Sequence, residues 1–317
     1  TVTPIFNACI NDQAFINTNM SITSGSINSY SLAYGDGGFT VVPGPITSST
    51  TLNTHAYNAY NTYTLTLSVT SDKNCGIVVK DSIRVYPKPF TDFTSNSVCF
   101  GQQVTFNNLS NIPSPQTYSI QQHLWQFNDG SASPTSTLSN PLHLFPGTNT
   151  FTVYNVKLTE FSFPEAQNLT STLTCSASVV KTVTIFPNPG TTFTNNSACF
   201  GSPTSFSNTT NTSGITGWSW YFQNLAAINS ISQHASFTYP APGNYTVHLV
   251  ALNNFGCRDT MKKSIQVYTN PVASFIADSV CLNVNTTFTN TSSHGSGASS
   301  QYTWNVLGGN DFSQSAV

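Results

Sequence analysis

Seven cysteines, six histidines and eleven carboxylates are the reactive groups of this 317-residue chain, and the cysteines are placed periodically. Asn7-Ala8-Cys9, Ser97-Val98-Cys99-Phe100-Gly101, Ser197-Ala198-Cys199-Phe200-Gly201 and Ser279-Val280-Cys281-Leu282 repeat one phrase at intervals of 90, 100 and 82 residues. A second cysteine follows in the first three copies, at Cys75, Cys175 and Cys257. The chemistry such residues offer is oxidation to disulfides. Each pair occupies the same two places in its repeat, so the simplest pairing is Cys9–Cys75, Cys99–Cys175 and Cys199–Cys257, with Cys281 left for a partner beyond residue 317. Bridges of this loop length would each contribute roughly 4 kcal/mol by the chain-entropy model. Zinc is the weaker reading, because no pair has the short C-x₂₋₄-C spacing of a structural site. Disulfides place the chain outside the cytoplasm, in a periplasm or beyond the cell.

Other groups could do different chemistry. Histidine recurs in His55-Ala56-Tyr57, His143-Leu144-Phe145 and His234-Ala235-Ser236-Phe237. A histidine at one repeat position beside a strand reads as structural, since an active site has no reason to recur with each domain. Glu160 and Glu165 are the only glutamates; both fall in an insertion of the second repeat and read as solvated loop residues rather than an acid/base pair. Asp36 and Asp129, in Tyr34-Gly35-Asp36-Gly37 and Asn128-Asp129-Gly130, are weak calcium candidates. Hard cations want several oxygen ligands, and one carboxylate per site is poor chelation, so the turn role is favoured. Trp125, Trp218, Trp220 and Trp304 could stack on sugar faces, but a β-sandwich needs at least one tryptophan per domain for its core. No nucleophile–base pair or second carboxylate marks a catalytic centre.

The elements that must carry these residues read as strands. Val104-Thr105-Phe106-Asn107-Asn108, Thr204-Ser205-Phe206-Ser207-Asn208 and Thr286-Thr287-Phe288-Thr289-Asn290 alternate inward and outward residues with period two. Aromatic strands ending in Asp-Gly follow, a hairpin signal because Gly takes positive φ and Asp tolerates it. Later come Tyr63–Leu67, Phe151–Val153 and Gly243–Leu249, then a last strand running into proline. No segment has helical periodicity with caps. About seven short strands per repeat define an all-β chain of tandem Ig-like antiparallel β-sandwiches. The boundaries are 1–86, 87–186 with an insertion near 160–171, 187–268, and a truncated fourth domain at 269–317. Pro87-Lys88-Pro89 and Pro187-Asn188-Pro189 are stiff junctions, since proline fixes φ and restricts the residue before it. The expected arrangement is a rod, on the order of 35 to 45 Å per domain. The first residue is Thr1 and the fourth repeat stops short of its second cysteine, so the chain is expected to be a piece of a longer protein.

Composition excludes several functions. Charged residues make up 6% of the chain, against about 25% in an average soluble protein. Nine basic and eleven acidic residues give a net charge of −2, with no basic footprint for nucleic acid and no polybasic patch for anionic lipid. No apolar run reaches the roughly 18 residues of a membrane span.

The phrases Trp125-Gln126-Phe127-Asn128-Asp129-Gly130, His234 through Leu249, Gly256-Cys257-Arg258-Asp259 and Val98-Cys99-Phe100-Gly101 together resemble the PKD (polycystic kidney disease) domain family. More narrowly, they are similar to the tandem PKD-like repeats of large Bacteroidetes surface proteins. The third repeat departs from the motif with Phe222-Gln223-Asn224 in place of the Asp-Gly turn, and the fourth with Val306-Leu307-Gly308-Gly309. The resemblance implies Ig-like sandwiches with no catalytic activity and no cofactor. It suggests a secreted, cell-surface adhesin or filament, of the gliding-motility kind exported by type IX secretion. Partners would be other copies or domains of the same surface protein, with surface glycans or proteins as ligands. The rival reading is a spacer or carbohydrate-binding segment of a secreted polysaccharide-degrading enzyme.

Overall fold

The computed structural model describes residues 1–4, 7–113, 118–131, 135–162, 175–223, 225–296, 301–305 and 312–315. Glu165, the insertion from residue 163 onward and the 306–309 turn of the fourth repeat lie outside the described residues. Every named element is a β-strand. The chain divides into two compact units, Thr1–Ile185 and Phe186–Val317.

The first unit holds two sandwiches. In one, a three-stranded sheet ordered Val2–Pro4, Gln13–Ser21, Ser48–Ala56 faces a five-stranded sheet ordered Ala8–Cys9, Gly76–Tyr86, Asn61–Ser71, Ile27–Ala33, Phe39–Ile46. In the other, Leu142–His143, Val104–Asn108 and Phe93–Ser95 face a five-stranded sheet ordered Val98–Cys99, Cys175–Phe186, Thr152–Ser162, Ile120–Gln126, Thr135–Ser136. Alternation decides which side chains meet between the sheets. Ala14, Ile16, Thr18 and Met20 share one parity and are buried, as are Tyr63, Leu65 and Leu67 opposite them.

The second unit repeats the plan. Phe193–Asn195, Thr204–Asn208 and Ala235–Phe237 face a four-stranded sheet ordered Ala198–Cys199, Arg258–Tyr268, Gly243–Asn253, Ile215–Tyr221. Beyond it lie two-stranded pairs, Phe275–Ala277 with Phe288–Asn290 and Gln301–Trp304 with Phe312–Ser315.

An aromatic triad recurs in the second, third and fourth repeats. Phe93 and Phe106 pack on Trp125 with ring centroids 5.0 and 5.2 Å away. Phe193 and Phe206 pack on Trp220 at 5.1 and 5.6 Å, and Phe275 and Phe288 on Trp304 at 5.5 and 5.8 Å. In the first repeat the fully buried Leu32 stands at the tryptophan position. Trp125 and Trp220 are buried whole, and their indole N–H groups donate to the carbonyls of Leu138 and Ser232. Neither offers a face to a sugar. Trp218 also packs against the third core, as its shared parity with Trp220 requires.

Candidate functional site

The short cysteine-bearing strand runs parallel to the end of the last strand, pairing Ala8 with Val85 and Cys9 with Tyr86, and likewise Ala198 with Val267 and Cys199 with Tyr268. The second cysteine lies at the other end of that same last strand, next to Gly76, at Cys175, or next to Arg258. An eleven-residue strand rises about 3.3 Å per residue, so the two cysteines of one repeat are held roughly 30 Å apart. A disulfide needs Cα atoms within about 7 Å.

The intra-repeat pairing read from the sequence is therefore overturned. Cys9 is bonded to Cys175, with Cα atoms 5.7 Å apart and a sequence separation of 166 residues. That excludes both Cys9–Cys75 and Cys99–Cys175. Cys75, Cys199 and Cys281 are exposed free thiols, which excludes Cys199–Cys257. Cys99 and Cys257 are each disulfide-bonded. Equal positions in a repeat argue for pairing within it, but a bond can form only between strand ends that meet, and the ends that meet at Cys9 and Cys175 belong to the first and second repeats.

The Cys9–Cys175 junction is more than a bridge. Both cysteines are buried with Tyr86, and Tyr118 packs against them. Tyr86 and Tyr118 meet edge to face at 5.9 Å, the Arg84 guanidinium lies over the Tyr86 ring, and Arg84 Nη2 donates to the Tyr118 hydroxyl at 3.2 Å. Ser162 Oγ donates to the Pro87 carbonyl, and Lys88 pairs with Asp12 at 2.5 Å. The prolyl linker is thus tied to both repeats. Sequence periodicity located these residues; only their placement at opposite strand ends shows that they belong together.

The repeated aspartates and histidines form another pattern. Asp36 Oδ1 accepts from the Gly38 amide and Oδ2 from His55 Nε2 at 2.7 Å, while the His55 ring stacks on Tyr34 at 4.1 Å. Gly35 leads into this turn at φ +89, where an added Cβ would lie 2.7 Å from the Thr64 carbonyl oxygen. Asp129 repeats the arrangement with the Ser131 amide and with His143 Nε2 at 2.5 Å, and His143 stacks on Phe127 at 3.8 Å. Burial raises each carboxyl's pKa, but the histidine and backbone hydrogen bonds outweigh it and hold both below the ordinary carboxylate value. The aspartates thus latch a turn to the opposite sheet. Each weak calcium candidate has both carboxylate oxygens engaged by protein donors. Among the described residues no group of three or more His, Cys, Asp or Glu is arranged to hold a metal ion.

His234 is not the third copy of this histidine. Val104 pairs with His143 and Thr204 with Phe237, so Phe237 takes the latch position and stacks on Phe222 at 4.7 Å. His234 stands instead where Asn140 does: it accepts the Asn208 amide, as Asn140 accepts that of Asn108. The repeat that lost the aspartate therefore also lost the histidine. Spacing in the sequence aligns His234 with His143; strand register does not.

Glu160 also departs from expectation. It lies in the strand Thr152–Ser162 on the inward parity of Val156 and Leu158, fully buried, and takes hydrogen bonds from His123 at 2.6 Å and Asn108 at 2.7 Å. The parity of its neighbours was the signal that could have placed it.

These sheets, cores and turns define tandem Ig-like β-sandwiches. Residues 190–265 match the family model of the PKD domain. The chain thus carries a PKD domain in its third repeat. No relative among curated proteins matches it. Solved structures similar to it include the three N-terminal domains of the bacteriophage RB49 Highly Immunogenic Outer Capsid protein, 12% identical, covering 85% of this chain and 97% of that one with a TM-score of 0.33. The fibronectin(III)-like modules of Clostridium thermocellum CbhA are 13% identical over 59% of this chain and 94% of that one, with a TM-score of 0.29. The Bacteroides ovatus mixed-linkage glucan utilization locus SGBP-B, in complex with a mixed-linkage heptasaccharide, is 13% identical over 89% and 70%, with a TM-score of 0.18. At these TM-scores the likenesses carry no further argument. No helix among the described residues is long and apolar enough to cross a membrane.

Proposed function

We propose that this chain is a non-catalytic, load-carrying segment of a secreted bacterial surface protein, a stalk or adhesin exposed outside the cell. Its domains would be PKD-like sandwiches at 1–86, 87–186 and 187–268, with part of a fourth at 269–317. Its partners would be other domains or copies of the same surface protein. The Cys9–Cys175 bond carries this reading, because it joins one repeat covalently to the next at the prolyl linker. Tension entering at Cys9 can leave through Cys175 without passing along the 166 residues between them. A spacer that only separates domains has no need of that bypass, and the bond itself requires an oxidising compartment.

Single-molecule stretching of the oxidised and reduced chain tests the proposal. The intervening segment has a contour length of roughly 550 to 600 Å at full extension. The oxidised chain should withhold that length, and the reduced chain should release it. Equal release in both states would sink the load-bearing role. A glycan array separates the stalk from a carbohydrate-binding segment: reproducible binding of one glycan class by the isolated chain would favour the latter.

A further inference from the structure

Ser71, Ser162 and Asn253 stand at one place in the three repeats, facing the second cysteine across the last hairpin. The Ser71 and Asn253 amides donate to the carbonyls of Cys75 and Cys257 at 2.9 and 3.0 Å, and Ser162 pairs in register with Cys175. In the second and third repeats this side chain holds the incoming linker: Ser162 Oγ donates to the Pro87 carbonyl at 3.4 Å, and Asn253 Nδ2 to the Pro187 carbonyl at 2.8 Å. In the first repeat Ser71 Oγ accepts instead from the amides of Lys73 and Cys75. Beside it opens a groove of about 660 Å³ lined by Met20, Ile22, Leu67, Val69 and Ile77, with Cys75 among its walls. In the second repeat the matching place is crossed by Phe90, which exchanges both backbone hydrogen bonds with Asn111. Cys175, at the position of Cys75, is bonded to the first cysteine of the repeat before it.

The geometry points to this groove and Cys75 as a covalent docking socket for another repeat of the same kind, whose linker fills the groove and whose first-position cysteine bonds Cys75. The inference rests on the proposed reading of the Cys9–Cys175 junction as a covalent link from one repeat to the next. The occupant is a repeat joined ahead of Thr1. Val2 pairs with Thr18 as Phe93 pairs with Asn108, so Thr1 aligns with Asp92 and itself lies in the groove wall. A linker as short as Pro87 to Thr91 then reaches from one repeat to the next. Bond formation removes two protons and two electrons from the two thiols; a protein or small-molecule disulfide of the oxidative folding compartment accepts them by thiol–disulfide exchange and becomes a dithiol.

The test joins a second copy of residues 1–91 directly ahead of Thr1, which preserves the spacing of the junction. Non-reducing peptide mapping should show the added copy's Cys9 cross-linked to Cys75, and iodoacetamide labelling of native Cys75 should fall to background. Replacing the added Cys9 by Ser (Cys9→Ser in that copy) should restore the label, which mere crowding of Cys75 would not do. The Cys9–Cys175 bridge of the parent chain serves as internal control. If it forms while Cys75 stays labelled, or bonds Cys75 of a second molecule, the socket is overturned; if it does not form, the junction reading itself fails. Should the extended chain not fold, the map of the protein taken from its native surface decides. Cys75 bonded to a cysteine in an Asn/Ser-Ala/Val-Cys phrase supports the socket, and a free Cys75 overturns it.

Discussion

Asp129 and His143 show how a pair of residues can be replaced only together. Their side chains are 0% and 8% exposed, so His143→Phe alone strands a buried carboxylate, at a cost of about 2 kcal/mol. The double variant Asp129→Asn/His143→Phe imitates the third repeat and should recover much of that loss; urea denaturation of the four-member cycle measures the coupling. The latches also set an acid limit. With folded pKa values below the unfolded value of about 3.9, the folded state binds fewer protons, so the stabilisation is complete above that value and disappears as pH falls through the depressed folded pKa. Asp36→Asn with Asp129→Asn should flatten the stability–pH curve below about pH 4. Melting curves should be unmoved by calcium, because protein donors already fill the carboxylate oxygens. At Glu160, substitution by Ala strands the His123 and Asn108 donors and should cost about 3 kcal/mol, with Gln markedly milder, as judged by denaturant midpoints.

At the scale of elements, period-two alternation wrote most of the sandwich into the chain. Thr204, Phe206 and Asn208 turn inward as their parity dictates, and so do Val247, Leu249 and Ala251. Trp125 and Trp220 then act as the centre of each core against two phenylalanines. Trp125→Ala should cost about 3 to 5 kcal/mol in the second sandwich, through lost transfer energy and the cavity left behind. Two-probe unfolding would show whether the first sandwich, whose core centres on Leu32, keeps its own transition. Register was harder to read than parity. His234 and His143 both precede an aromatic residue in the sequence, whereas the pairing of Thr204 with Phe237 shifts the true equivalence by three positions.

At the scale of the molecule, the disulfide between repeats governs stability as well as load. Its 166-residue separation corresponds to about 5 kcal/mol by the chain-entropy model. Reduction, or Cys9→Ser, should therefore lower the unfolding midpoint of both first-unit sandwiches. If instead each melts as before, the junction does not couple them. Tyr86, Tyr118 and Arg84 pack around the bond, so Tyr118→Ala should speed its reduction by exposing the sulfurs to the attacking thiolate, followed by timed alkylation.

The chain's own order of residues determined its all-β character, the turn role of Asp36 and Asp129, and the burial of one tryptophan in each of two cores. These follow from local rules, namely alternation, turn preference and side-chain volume, which act over a few residues. Tertiary structure alone decided which cysteines bond, which histidine position latches, and that Glu160 is buried. Each of those depends on where a strand begins and ends in space. Two cysteines at equivalent places in one repeat sit at opposite ends of one eleven-residue strand, and the partner within reach is supplied by the next repeat.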